Sequence, residues 1–258
     1  MGRLFRLAAG IAATCVVAAA GHAAAVGPNE SALEDTPKIA QTTVLQRFLA
    51  RAEEPPVEYR ALRRLEAQNP KFNQSAWMTA WTEYDHVNGF RYEIVDEGGS
   101  GYIRSKVLRA ALEGERKIWA DREPQKASFT HDNYLFDAGE PSPDGLASVR
   151  VKPKRKDVLL VEGAIFVLPA DGELTRIEGK LSKTPSFWTR RVDVVRRYER
   201  KGGVRVPISI ESVATVLIAG RSTFKMTYEY QTVNGQTVGD PRLEVRSPKL
   251  EVRSQGLP

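Results

Sequence analysis

Cysteine is almost missing from this 258-residue sequence, and the single one, Cys15, lies inside an N-terminal apolar run. Once that run is removed, the chain can form no disulfide, carry no thiolate and build no cysteine metal site. Histidine is nearly as scarce, with three in all. His22 precedes the expected start of the mature chain, and His86 and His131 fall in no metal-ligand spacing such as HExxH. The nearest approach to a nucleophile elbow, Gly98-Gly99-Ser100-Gly101-Tyr102, lacks its second glycine at the required place. Ser100 reads instead as helix-start chemistry. A carboxylate acid–base pair stays open at this level, but nothing in the linear sequence brings one together. The expectation is therefore a protein that is not an enzyme, with no metal and no cofactor.

Charge of one sign is not in large excess either. The formal balance is +6, and without Arg3 and Arg6 there remain 36 basic residues against 32 acidic ones, or +4. Such a balance bears on solubility and on anionic surfaces, not on fold. Beyond the N-terminus no stretch is long and apolar enough to span a bilayer.

What is present begins with MGRLFRLAAGIAATCVVAAAGHAAA, residues 1–25. Two arginines, an uncharged run from Leu7 and the small residues Ala23, Ala24 and Ala25 have the form of a cleaved export signal, so the mature chain is expected to start near Val26, in the periplasm. A retained anchor or a lipidated Cys15 is the alternative, and Thr14 is bulkier than the residue lipid-attachment signals favour. The remaining residues suit one domain, 26–240. The last segment, 241–258, contains the near-repeat RLEVRSP and KLEVRSQ and reads as a terminal strand or a flexible tail.

TPKIAQTTVLQRFLARAEEPP predicts a helix that Thr36 caps and Pro55-Pro56 end, with Ile39, Val44, Leu45, Phe48, Leu49 and Ala52 on its apolar side. From Tyr59 the pattern turns to alternation, and Asn88-Gly89 marks a hairpin before FRYEIV. EGGSG then opens a second helix over 102–120, with Ile103, Val107, Ala110, Ala111 and Ile118 on one face and Gly114 inside it. The C-terminal half is a series of strand-like runs, among them VLLVEGAIFVLP and LTRIEGKLS, separated by Asp171-Gly172, Gly202-Gly203, Ala219-Gly220 and Asn234-Gly235. Short turns pair successive strands antiparallel, and the two helices are available to cover one face of the resulting sheet. The class is mainly β with α, an α+β arrangement.

KTPSFWTRRVDVVRRYERKGGVRVP, residues 183–207, holds the densest basic run. As a strand it puts Val192, Val194 and Tyr198 on one face and Arg191, Asp193, Arg197 and Glu199 on the other, with Arg196 out of step. A helix through 189–200 is the alternative. Asp193 and Glu199 break any nucleic-acid stripe, and no nucleic-acid partner is expected. Arg150 to Lys156 reads as a solvated strand-to-turn segment rather than a lipid-headgroup patch.

EGGSGYIRSKVL, HDNYLFDAG, VKPKRKDVLLVEGAIFVLPADGELTRIEGKLSKTPSFW and GRSTFKMTYEYQTVNG, in this order behind a signal peptide, resemble the LolA/LolB-like group of exported outer-membrane lipoprotein-sorting proteins, over about Tyr59 to Gly235. The resemblance implies a curved antiparallel sheet forming an incomplete barrel, covered by helices, whose hollow holds an acyl chain. It further implies that the partner is an acylated lipid or lipoprotein, passed between inner- and outer-membrane proteins by a monomer. No position here matches the carrier's lid-locking arginine. The wall candidates are Trp77, Trp81, Phe166, Phe187, Trp188, Phe224 and Met226, each in or beside a strand-like run. Which face of each strand is concave is left open by the sequence. The competing reading is an envelope protein-interaction or lipid-sensing module of the same fold.

Overall fold

The computed structural model describes residues 36–51, 55–120, 124–140 and 142–239. The expected leader and the segment 241–258 lie outside the described residues, as do the side chain of Ile39 and the whole of Ala52. The first helix is α1 (Thr36–Ala50), followed by β1 (Glu58–Asn69), β2 (Gln74–Asp85) and β3 (Gly89–Gly99). A helical excursion comes next: α2 (Gly101–Ile103) runs through a π-helical turn (Arg104–Leu108) into α3 (Arg109–Ala120). Eight further strands complete the described chain: β4 (Tyr134–Ala138), β5 (Ala147–Pro153), β6 (Val161–Val167), β7 (Leu174–Leu181), β8 (Thr189–Lys201), β9 (Val204–Val216), β10 (Gly220–Val233) and β11 (Gln236–Thr237).

All eleven strands belong to one antiparallel sheet, in the order β3-β2-β1-β10-β9-β8-β7-β6-β5-β4, with β11 added at the end of β10. Tight turns account for most of this order. Asn234 and Gly235 both have positive φ, 49° and 74°, as a two-residue hairpin turn that matches strand twist requires. At the β2–β3 turn, the Asp85 carboxylate accepts from the Val87 and Asn88 amides at 2.9 and 2.6 Å, and the Asn88 bond holds its pKa below the ordinary value. The long-range link is β1 against β10, in register from Tyr59–Val233 to Gln68–Thr223. The end strands β3 and β4 do not pair with each other, so the curved sheet remains an unclosed barrel. Register shifts at Arg60/Ala61, Thr79/Ala80, Phe166/Val167 and Arg197/Tyr198 bend it, as bulges do.

The expected strand VLLVEGAIFVLP begins later than its composition implies. Asp157 accepts from the Leu159 amide at 3.0 Å, an Asx turn that keeps residues 157–160 out of the ladder until Val161.

One face of this sheet carries two apolar clusters. The first joins Leu65, Met78, Phe224, Met226 and Ile210 to Ile103, Leu108, Ala111 and Leu112 of the helical excursion. The second joins Ile165, Ile177, Val192 and Val194 to Val44 and Phe48 of α1. Each helix thus covers a different half of the same sheet. On β8, Val192, Val194 and Tyr198 point inward as the alternation predicts, while Arg191 pairs with Asp193 and Arg197 with Glu211 on the wet face.

The helical face differs from the expected one in a way the π turn explains. Beside Ile103 and Ala111, the buried positions are Leu108, Leu112 and Glu115, and Val107 is only partly buried. One extra residue in the turn advances the phase of everything after it by about one position.

Candidate functional site

An apolar cleft opens where the helical excursion crosses the sheet. Its floor is Ala67, Ala214 and Phe224; its roof is Tyr102, Ile103 and Val107. Two alanines on adjacent parts of the floor leave the room that larger side chains fill elsewhere. The space is about 90 Å³, with almost wholly apolar walls. That is well below the ~300–1,000 Å³ of pockets that enclose a drug-sized ligand, and less than a full acyl chain needs.

The roof is fastened along one edge. The Ser100 amide donates to Ser75 at 2.8 Å, and its side chain accepts from the Ile103 amide at 3.5 Å to start the helix. Gly99 precedes it with φ of 82°, and a Cβ there would lie 2.3 Å from the Ser75 carbonyl oxygen, so only glycine fits. Arg104 and Arg109 both grip Glu97 of β3, at 2.8 and 2.9 Å. The Tyr92 hydroxyl donates to Glu113 at 2.5 Å, and partial burial with that carboxylate pushes the phenol up to about 12. Tyr84 stacks on Trp119 with ring centres 3.9 Å apart.

A further tie runs through the hollow itself. Arg63 of β1, 1% exposed, donates to both oxygens of Glu115 on α3, at 2.5 and 2.9 Å, and to the Tyr59 hydroxyl at 2.8 Å. Tyr59 in turn donates to Glu115 at 3.2 Å. The guanidinium lies 4.5 Å from the Tyr228 ring centre and 5.1 Å from that of Phe90. Burial works against the Arg63 charge, but Glu115 and the surrounding tyrosines outweigh it and raise its pKa above the ordinary value. Burial also pushes the Tyr59 phenol well up. The group is a charge pair sealed between sheet and helix, suited to hold the cover shut.

Arg196 also faces inward, on the seam between the two clusters, with Tyr198 beside it. These three charged residues escaped the sequence reading. A lone arginine or glutamate in an alternating or helical run looks like surface, and only the misfit of Arg196 with its strand's pattern gave a hint.

The structure separates the seven wall candidates. Phe224 lines the cleft, and Met226 is wholly buried two positions further along the same face of β10. Trp77, Trp81 and Phe166 are on the opposite face, lying 5.9, 4.7 and 4.1 Å from the guanidinium carbons of Arg64, Arg60 and Arg176. Trp77 covers Gly98, its cross-strand partner on β3, where a Cβ would meet the indole at 2.8 Å. Phe187 is 86% exposed and packs edge-on against half-buried Trp188 in the turn before β8. His131 stands edge-on to Phe136, and among the described residues no group of three or more His, Cys, Asp or Glu is placed to hold a metal ion. No helix among the described residues is long and apolar enough to cross a membrane.

No protein-family model matches the sequence, and no curated protein matches it. The chain is similar to three solved structures. A LolA superfamily protein from Nitrosomonas europaea is 10% identical, with 81% of this chain and 97% of that one covered, at a TM-score of 0.36. A protein domain assigned to outer membrane lipoprotein sorting from Vibrio parahaemolyticus is 10% identical over 75% and 92% of the two chains, with a TM-score of 0.34. A DUF1329 family protein from Desulfovibrio piger is 8% identical over 74% and 89%, with a TM-score of 0.33. These are likenesses of chain trace.

Proposed function

We propose that the protein holds an acyl chain of a lipid or lipoprotein between the concave sheet face and its helical cover, as an exported, periplasmic carrier without catalytic activity. The observation that carries the reading is the apolar cleft of about 90 Å³ beneath the π-helical turn, whose cover is tied to the sheet interior by one buried ion pair. π turns are rare and are frequently found at functional sites. Each methylene moved from water into such a site is worth roughly 0.8 kcal/mol, so a chain can be held by walls alone. The cleft as it stands takes only the end of a chain. Loading therefore requires the cover to lift.

The same small volume favours a second reading, in which the hollow senses an acyl group and the protein acts as an envelope interaction module. Delivery to a membrane protein belongs to the first reading, and docking with an envelope partner to the second.

Ala67→Leu tests the first reading, because it puts three more carbons on the cleft floor. Overpacking should cost about 1–3 kcal/mol of stability while the protein stays folded. Affinity for a fluorescent fatty-acid probe should fall at least about tenfold, the equivalent of two excluded methylenes. Unchanged probe binding by the folded variant would remove the cleft from the account.

A further inference from the structure

The seam between the two apolar clusters holds a charge with no ion pair among the described residues. Arg196 is 5% exposed, and its Nε and Nη2 have no hydrogen-bond partner. Its cross-strand neighbours on the same face are Ile177 of β7 and Ile210 of β9, both apolar. Glu115 lines the same small space, but its oxygens bond Arg63 and Tyr59 and not Arg196. Ser212, diagonal to Arg196 on β9, is buried as well, and its hydroxyl also lacks a partner. The half-buried arginines Arg60, Arg104 and Arg176 each keep a carboxylate within 3.0 Å. Arg196 has no ion pair among the described residues. An unpaired buried guanidinium is costly, whereas one that meets an oxyanion makes paired, charge-assisted bonds.

We propose that Arg196, with the Ser212 hydroxyl, receives the anionic carboxylate or phosphate group of an acyl-bearing amphiphile, so that the hollow reads a charged head as well as an apolar tail. This rests on the acyl-chain reading above. The site lies between the clusters, so a head bound there sends its tail along the apolar face on either side. Its space is about 10 Å³, which excludes a head while the cover is shut. Lifting α3 withdraws Glu115 and frees Arg63 on the same wall, so the incoming anion meets two guanidiniums where one carboxylate stood. Selection is for charge on the head, at the stage when the chain loads.

The test compares laurate with dodecanol, equal in chain length and different in head charge, and inorganic phosphate alone, by calorimetry at pH 8 on the mature chain. Wild type, Arg196→Met and the outer-face control Arg197→Ala are titrated. Wild type and the control should bind laurate at least tenfold more tightly than dodecanol, and Arg196→Met should lose that preference while keeping its dodecanol affinity. Equal binding of the two by wild type, or a preference that survives in Arg196→Met, overturns the proposal with the acyl reading intact. If neither amphiphile binds wild type, the acyl reading falls. Phosphate binding that Arg196→Met abolishes would then leave a site for a free anion, and no phosphate binding would overturn that too. Unliganded Arg196→Met should unfold at the same temperature as wild type or higher; a lower midpoint would show that the guanidinium is structurally paired and sink the proposal.

Discussion

Arg63→Met alone should lower the unfolding free energy by about 3–5 kcal/mol, Glu115→Leu alone by a similar amount, and the double variant by about 1 kcal/mol or less. The asymmetry follows from where the pair sits. Both side chains are almost fully buried, at 1% and 4% exposure, and each single change leaves the other charge inside without its counter-charge, with only the Tyr59 hydroxyl to bond. Replacing both by apolar side chains of similar size removes two desolvation costs together with one attraction, which often comes out even. Urea denaturation of the four proteins gives the coupling directly. The pair therefore contributes little net stability, and what it adds is a defined closed position for the cover. In the double variant the cover is held by apolar contacts and the ties to β3, so a fatty-acid probe should load faster than in wild type. Additive losses in the double variant would contradict this account of the pair.

Val192→Asp should cost at least about 3 kcal/mol, whereas Arg197→Ala should stay within about 0.5 kcal/mol of wild type. Val192 is 1% exposed in the cluster beneath α1, and the change forfeits roughly 1.5–3 kcal/mol of burial and adds a carboxylate with no partner there. Arg197 projects to the other face, where its pairing with Glu211 leaves both side chains 44% exposed. Exposed pairs of that kind are worth little. Thermal melts of the two variants decide the matter, and equal tolerance of both would mean that β8 does not present its faces as described.

Much of the architecture could be read from residue order. Turn dipeptides placed the hairpins, and valines at alternate positions gave β8 with its inward face; α1 ends at Ala50, earlier than Pro55-Pro56 implies. The side of the sheet on which each aromatic falls could not be read, because an alternating strand looks the same whichever face is buried. Trp77 and Trp81 have the bulk of cavity walls, yet they lie on the outer face under arginines, and Phe166 does the same under Arg176. Leu108 and Leu112 were missed for a different reason: a π turn is not encoded in a 3.6-residue pattern, and it shifts the buried stripe by one. Arg63 and Glu115 become visible as a pair only when β1 and α3 are brought together, 52 residues apart in sequence. Arg196 showed in the sequence only as a residue out of step with its strand, which marks an inward charge but not what it meets.

The central claim is that the hollow between sheet and helices holds acyl chains. The most direct measurement is mass spectrometry of organic extracts from the mature chain, residues 26–258, purified without detergent from a bacterial periplasm beside a similarly exported control. The account predicts enrichment of a phospholipid or other acylated molecule, retained in proportion to the loaded fraction and lost in Ala67→Leu. An extract no richer than the control's, together with no binding of an added acyl probe, would contradict it.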